Sequence, residues 1–92
     1  MSQMLAHQTY IYHLARFLHQ HDRTMSLREL AEHLNRNEIK SSTGDFSTDS
    51  LRGMGAAVAA VYHRVEEFFG EGEAEYVARA FVGDDGTFAF ER

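Results

Sequence analysis

The chain contains no cysteine and no proline. Without cysteine there is neither a disulfide framework nor a thiolate metal site. Without proline, and with no internal repeat, nothing marks a linker or a repeat array, so residues 1–92 read as one domain. A run of 18 apolar residues is also missing, as is a basic N-terminal region followed by an apolar one. A cytoplasmic protein with no signal peptide and no membrane contact is therefore expected.

An excess of positive charge is the most informative absence. Net charge is −5. Residues 1–52 balance: Arg16, Arg23, Arg28, Arg36, Lys40 and Arg52 stand against Asp22, Glu29, Glu32, Glu38, Asp45 and Asp49. Residues 53–92 hold Arg64, Arg79 and Arg92 against Glu66, Glu67, Glu71, Glu73, Glu75, Asp84, Asp85 and Glu91, which accounts for the whole excess. DNA-binding domains are usually basic, because neutralising phosphates and releasing counterions supplies most of the non-specific affinity. An acidic chain suits a basic protein partner instead.

What is present is a globular composition, 43% hydrophobic and 25% charged. A chain of this size buries only about 60–65% of its unfolded surface. Ile11, Leu14, Ala15 and Leu18 recur at the spacing of one buried helical face and predict a first helix from Leu5 to His21. Tyr10 and Phe17 widen that face, whereas Tyr12, Arg16 and Gln20 point outward. Leu27, Leu30, Ala31 and Leu34 predict a second helix over Leu27–Arg36. Ser26 and Glu29 have the capping-box spacing at its start, and Met25 and Leu30 lie where a hydrophobic staple would. Asn35 and Asn37 fit its end, where Asn tolerates left-handed backbone. Residues 37–46 form a loop with Ile39 as its core-directed side chain. Ser47 is a good N-cap for a third helix over Thr48–Phe69, with Asp49 in its first turn and Gly70 as its stop. Leu51, Met54, Val58, Val61, Tyr62, Val65 and Phe69 or Phe68 give its apolar stripe. Gly53, Gly55, Ala56, Ala57, Ala59 and Ala60 leave a surface of very small side chains, against which either the first helix or a second copy of the chain would pack.

Ala31, Leu34, Asn35, Ile39, Ser41, Gly44, Phe46, Ser47, Leu51 and Arg52 together resemble the helix-turn-helix of serine-recombinase DNA-binding regions and related small regulators. The likeness covers Ser26 to Arg52, and no recombinase catalytic domain fits in the chain. Glu38 stands where that family usually has glycine, and the loop before Phe46 is shorter and lacks proline. The resemblance implies that the third helix enters double-stranded DNA.

Gly70 to Glu75 reads as an acidic connector. Tyr76–Val82 and Thr87–Glu91 read as strands joined by an Asp-Gly turn, a good hairpin signal. A hairpin alone is marginal, so it must pack on the helices, with Phe88 and Phe90 as anchors. The expected fold is mainly α with a C-terminal β-hairpin: a winged helix-turn-helix of three helices and a two-stranded wing, forming a homodimer through its third or first helix.

Candidate DNA contacts follow from that placement. Lys40, Ser41, Ser42, Thr43, Ser47, Thr48, Asp49 and Ser50 lie in the loop and at the third helix's start, where hydroxyls and backbone N–H groups contact phosphate. Arg52 is the best base reader, since guanidinium bonds guanine in bidentate fashion, and Arg28 and Arg36 could clamp the backbone. The plainer alternative is that Ser47 and Asp49 only cap a helix and the cations are solvated. Six histidines, His7, His13, His19, His21, His33 and His63, invite a metal. None forms an i,i+4 pair with a glutamate between, so neither a metal nor another cofactor is expected. Glu66 and Glu67 leave a helix in different directions, no phosphate-binding loop or nucleophile motif appears, and an enzyme is not expected. The sequence thus points to a small DNA-binding protein, a transcriptional regulator or an accessory factor of a mobile element. The alternative is a protein-interaction module on the same scaffold.

Overall fold

The computed structural model describes residues 4–39, 52–83 and 88. Four helices and one two-stranded parallel sheet make up this part: α1 Ala6–Gln20, β1 Met25–Ser26, α2 Leu27–Arg36, α3 Arg52–Phe69, α4 Glu71–Ala80 and β2 Phe81–Val82. α3 packs on α4 and α1, and α2 packs on α3 from another side.

α1 buries Ile11, Ala15 and Leu18 as its periodicity predicts. Gln8 accepts the Leu5 N–H at 2.9 Å, the reciprocal arm of a capping box, at an end without a hydroxyl cap. Two aromatic assignments are corrected. Tyr12, expected outside, is buried because α4 covers its side of the helix; Phe17, expected inside, is 53% exposed.

α2 has the bounds the sequence predicts. Ser26 Oγ accepts the Glu29 N–H at 3.1 Å, while Met25 and Leu30 both join the core. α1 and α2 end alike. Arg23 N–H bonds Leu18 C=O and Asp22 N–H bonds His19 C=O, a Schellman motif; Ile39 to Leu34 and Glu38 to Asn35 repeat it. The left-handed position is filled by Asp22 (φ 53°) in the first motif and by Glu38 (φ 58°) in the second, where Asn35 or Asn37 was expected. Ile39 then folds back against the core.

The largest correction follows α3, which stops at Phe69 before Gly70 as expected. Instead of a connector and a strand over Tyr76–Val82, the chain turns at Gly70 (φ 96°) straight into a fourth helix. Ala74, Val77 and Ala78 are buried on one side of α4, in line with Phe81 one turn further on. Glu71 and Glu73 occupy its first turn, where the helix dipole favours acids. Of the strand expected over Tyr76–Val82, only Phe81–Val82 is extended, and it pairs parallel with β1 in the register Met25↔Phe81 and Ser26↔Val82. Val82 also forms an antiparallel bridge with Phe88. Residues 84–86 of the turn expected over 83–86, and residues 87 and 89–91 of the expected second strand, lie outside the described residues, as do Leu51 and the start predicted for the third helix. Phe81 is fully buried, whereas Phe88, expected as an anchor, is 47% exposed. Phe68 and Phe69, candidates for the α3 stripe, are also exposed; Phe69 stacks on Tyr12 with ring centroids 5.3 Å apart.

Candidate nucleic-acid interface

α2 presents Arg28, Glu29, Glu32 and Arg36 to solvent, opposite its buried leucines. Arg28 and Arg36 are two turns apart on the outer side, about 12 Å along the axis. His33 between them is half-buried, with Nε2 2.8 Å from the Tyr10 hydroxyl. That contact ties α2 to α1. Ser26 Oγ is committed to its cap, and the Asn37 side chain donates to His33 C=O at 2.8 Å. Arg52 is the first described residue of α3. Lys40, Ser41, Ser42, Thr43, Ser47, Thr48, Asp49 and Ser50 lie outside the described residues. The structure thus places Arg28 and Arg36 on one exposed face and Arg52 at the head of α3.

Three ion pairs of the described residues lie away from α2. Arg64 meets Glu67 at 3.4 Å, Arg79 meets Glu75 at 3.0 Å, and Arg16 approaches Glu73 at 3.7 Å. Glu66, Glu67, Glu71, Glu73 and Glu75 all sit at the α3–α4 corner. Arg52 and that corner are separated by the length of α3, about 26 Å. Among the described residues, Arg23 and Arg36 have no carboxylate partner. Among the described residues, the five glutamates of the second half thus lie toward the α3–α4 corner, three of them paired with arginines, and Arg52 stands at the other end of α3.

Among the described residues, two side chains have displaced titrations. Tyr12 is held above the ordinary tyrosine range by burial, reinforced by its hydroxyl donating to Glu73 Oε1 at 2.6 Å. Burial lowers His7. Neither belongs to the exposed face of α2. Among the described residues no three His, Asp or Glu side chains converge in a way that could hold a metal ion, and no helix is long and apolar enough to cross a membrane.

Nothing in the sequence marks a concavity of about 280 Å³ where α1 ends against α4, lined by His19, Asp22, Arg23, Thr24, Tyr76, Arg79, Ala80 and Phe88. Its residues come from three distant segments, and the one signal available was the i,i+3 spacing of Tyr76 and Arg79, visible only once α4 is recognised as a helix.

Comparison with protein-family models, with curated proteins and with solved structures finds no match to this chain.

Proposed function

We propose that the protein binds double-stranded DNA, placing the start of α3 in the major groove while α2 crosses the backbone, as a small transcriptional regulator or an accessory factor of a mobile element. In this reading β1, β2 and the segment at Phe88 form the sheet of a winged helix-turn-helix, elaborated by α4. Charge polarity along α3 is the observation that carries the proposal. A net charge of −5 would repel phosphates if spread evenly. Here five glutamates stand at the α3–α4 corner, about 26 Å from Arg52. Arg28 and Arg36 lie on the exposed face of α2 beside Glu29 and Glu32, with Lys40 just beyond α2 in the sequence. In this reading Ser41, Ser42, Ser47 and Thr48 would supply hydroxyls for phosphate, with Asp49 in the same contact segment.

The test is titration against random duplex DNA over a series of salt concentrations. Affinity should fall linearly on a log–log plot. Arg36→Ala and a Lys40→Ala, Arg52→Ala double variant should each weaken binding, with the slope shrinking by about 0.9 for each phosphate contact removed. No binding even at the lowest salt overturns the proposal.

A second reading is favoured by one observation. The acidic corner also exposes Phe68 (39%) and Phe69 (55%), two rings beside a cluster of carboxylates. An apolar centre rimmed by charge of one sign suits a basic protein partner. This reading takes over if DNA binding fails. Homodimerisation is a separate proposal: Gly53, Ala56 and Ala60 are exposed along α3 and would let a second copy approach closely.

A further inference from the structure

The concavity between the end of α1 and α4 contains no residue of α2 or α3, so it is separate from the DNA-binding surface proposed above. Two guanidinium groups, Arg23 and Arg79, and one carboxylate, Asp22, line it among the described residues of a chain of net charge −5. Arg79 is fixed by Glu75 at 3.0 Å yet its side chain remains 71% exposed, so N–H donors stay available. Arg23 has no carboxylate partner among the described residues.

The rest of the lining is aromatic and held in place. Tyr76 is half-buried, with the His19 ring 4.5 Å away and the Arg16 guanidinium 6.0 Å from its centroid. Phe88, tied by its bridge to Val82, presents an apolar ring. Beneath Arg23, the Schellman motif pins the backbone by two hydrogen bonds and holds Asp22 at φ 53°. The site is thus largely pre-formed. At about 280 Å³ it lies at the lower end of ligand pockets and has room for one ring system and one charged group.

We infer that this concavity binds a small aromatic anion, a planar ring bearing a carboxylate or a phosphate. The ring lies on Tyr76 and Phe88, and the anionic group is taken by Arg23 and Arg79. The ring surfaces alone would accept any apolar molecule, and the guanidiniums alone any anion; their juxtaposition selects ligands that carry both. The site adjoins Thr24, one residue before β1, and β1 leads directly into α2. An occupant there would act as an effector only if the DNA-binding reading holds, whereas binding itself does not depend on that reading.

The experiment omits DNA, which keeps the two failures apart. Amide proton–nitrogen correlation spectra of the whole chain would be followed during titration with para-hydroxybenzoate and with phenyl phosphate, the carboxylate and phosphate forms of the ligand class. Phenol and inorganic phosphate serve as ring-only and charge-only probes. The expected result is saturable shifts around residues 19–24 and 76–80 for at least one aromatic anion, with a Kd below about 1 mM. Phenol and inorganic phosphate should bind at least about tenfold more weakly, a difference of about 1.4 kcal/mol. Arg23→Ala and Arg79→Gln, both at exposed positions, should each weaken binding several-fold with dispersed spectra retained. The inference is overturned if neither aromatic anion saturates at about 10 mM, if phenol binds as tightly as para-hydroxybenzoate, or if both arginine variants bind like the parent.

Discussion

Asp22 and Glu38 hold left-handed backbone at the ends of α1 and α2, where glycine is the usual occupant. An L-residue there carries a strain of about 1–2 kcal/mol, partly offset in a glycine variant by the greater entropy of its unfolded chain, about 0.4–1 kcal/mol. Glu38→Gly should therefore stabilise the fold by roughly 0.5–1 kcal/mol, read as a higher urea midpoint at unchanged m-value. Asp22→Gly should gain less, since aspartate tolerates this region better than glutamate. Glu38→Ala, which keeps the strain, should gain nothing; an equal gain there would place the cause in the charge instead. Tyr12 makes a second residue-scale case. Burial and the Glu73 carboxylate raise its pKa above the ordinary 10.0, so the unfolded chain loses this proton first as pH climbs. The stabilisation is fully present below about pH 10 and is lost as pH rises through the higher folded value. Tyr12→Phe should cost about 1 kcal/mol at neutral pH, less than a fully buried bond to a charge because Glu73 is 30% exposed and can rehydrate. It should also flatten the alkaline limb of a plot of Tm against pH. A parallel limb would show that the Tyr12–Glu73 bond does not set the alkaline limit.

At the scale of elements, the contrast between α2 and α4 shows what kind of information sequence carries. α2 was legible to the residue because its cap, staple and stripe all agree. α4 was not, although Ala74, Val77, Ala78 and Phe81 recur at i, i+3, i+4 and i+7, the same signal that identifies α1. Local preferences masked it: Gly70 and Gly72 suggested a connector, and Tyr76, Val77, Phe81 and Val82 favour strands. Tertiary burial against α1 and α3 overrides them. The cavity was illegible for the same reason, since it exists only when α4 brings Tyr76 and Arg79 to Asp22 and Arg23. Of the candidate DNA contacts, Arg28 and Arg36 could be placed from periodicity, because an outward position on a helix depends on neighbours three and four residues away. The two glycines at the corner make opposite predictions. Gly70 combines φ 96° with ψ 171°, a region essentially restricted to glycine. A Cβ there would meet nothing within 4 Å, so Gly70→Ala should cost about 1–3 kcal/mol through backbone strain alone. Gly72 lies inside α4 with equally open space, and Gly72→Ala should stabilise by up to about 1 kcal/mol. Urea unfolding of the two variants decides the matter: equal effects, or a stabilised Gly70→Ala, would mean that the α3–α4 turn does not need the conformation described.

For the whole molecule, the question is how an acidic protein could approach DNA, and screening gives a quantitative answer. A carboxylate about 26 Å from a phosphate interacts with it by only about 0.16 kcal/mol in unscreened water. Summed over a few phosphates, two such acids oppose binding by at most about 1 kcal/mol, near fivefold. The Debye length is about 30 Å at 0.01 M salt and about 8 Å at 0.15 M, so this repulsion operates in the first condition and nearly vanishes in the second. Glu66 and Glu67 are partly or largely exposed and near the end of α3, and their replacement by glutamine leaves helix propensity almost unchanged. A Glu66→Gln, Glu67→Gln variant should therefore bind random duplex DNA a few-fold more tightly at 0.01 M salt and indistinguishably from the parent at 0.15 M. Arg36→Ala should weaken binding at both. A gain that survives at 0.15 M would put these acids within one Debye length of the phosphates, which is incompatible with α3 entering the groove by its N-terminal end. Unchanged affinity at both salts, with DNA still bound, would mean that the two carboxylates lie beyond the reach of the phosphate field even at low salt. The polarity of α3 would then have no part in admitting an acidic chain to DNA, and the acidic corner would be left to the protein-partner reading.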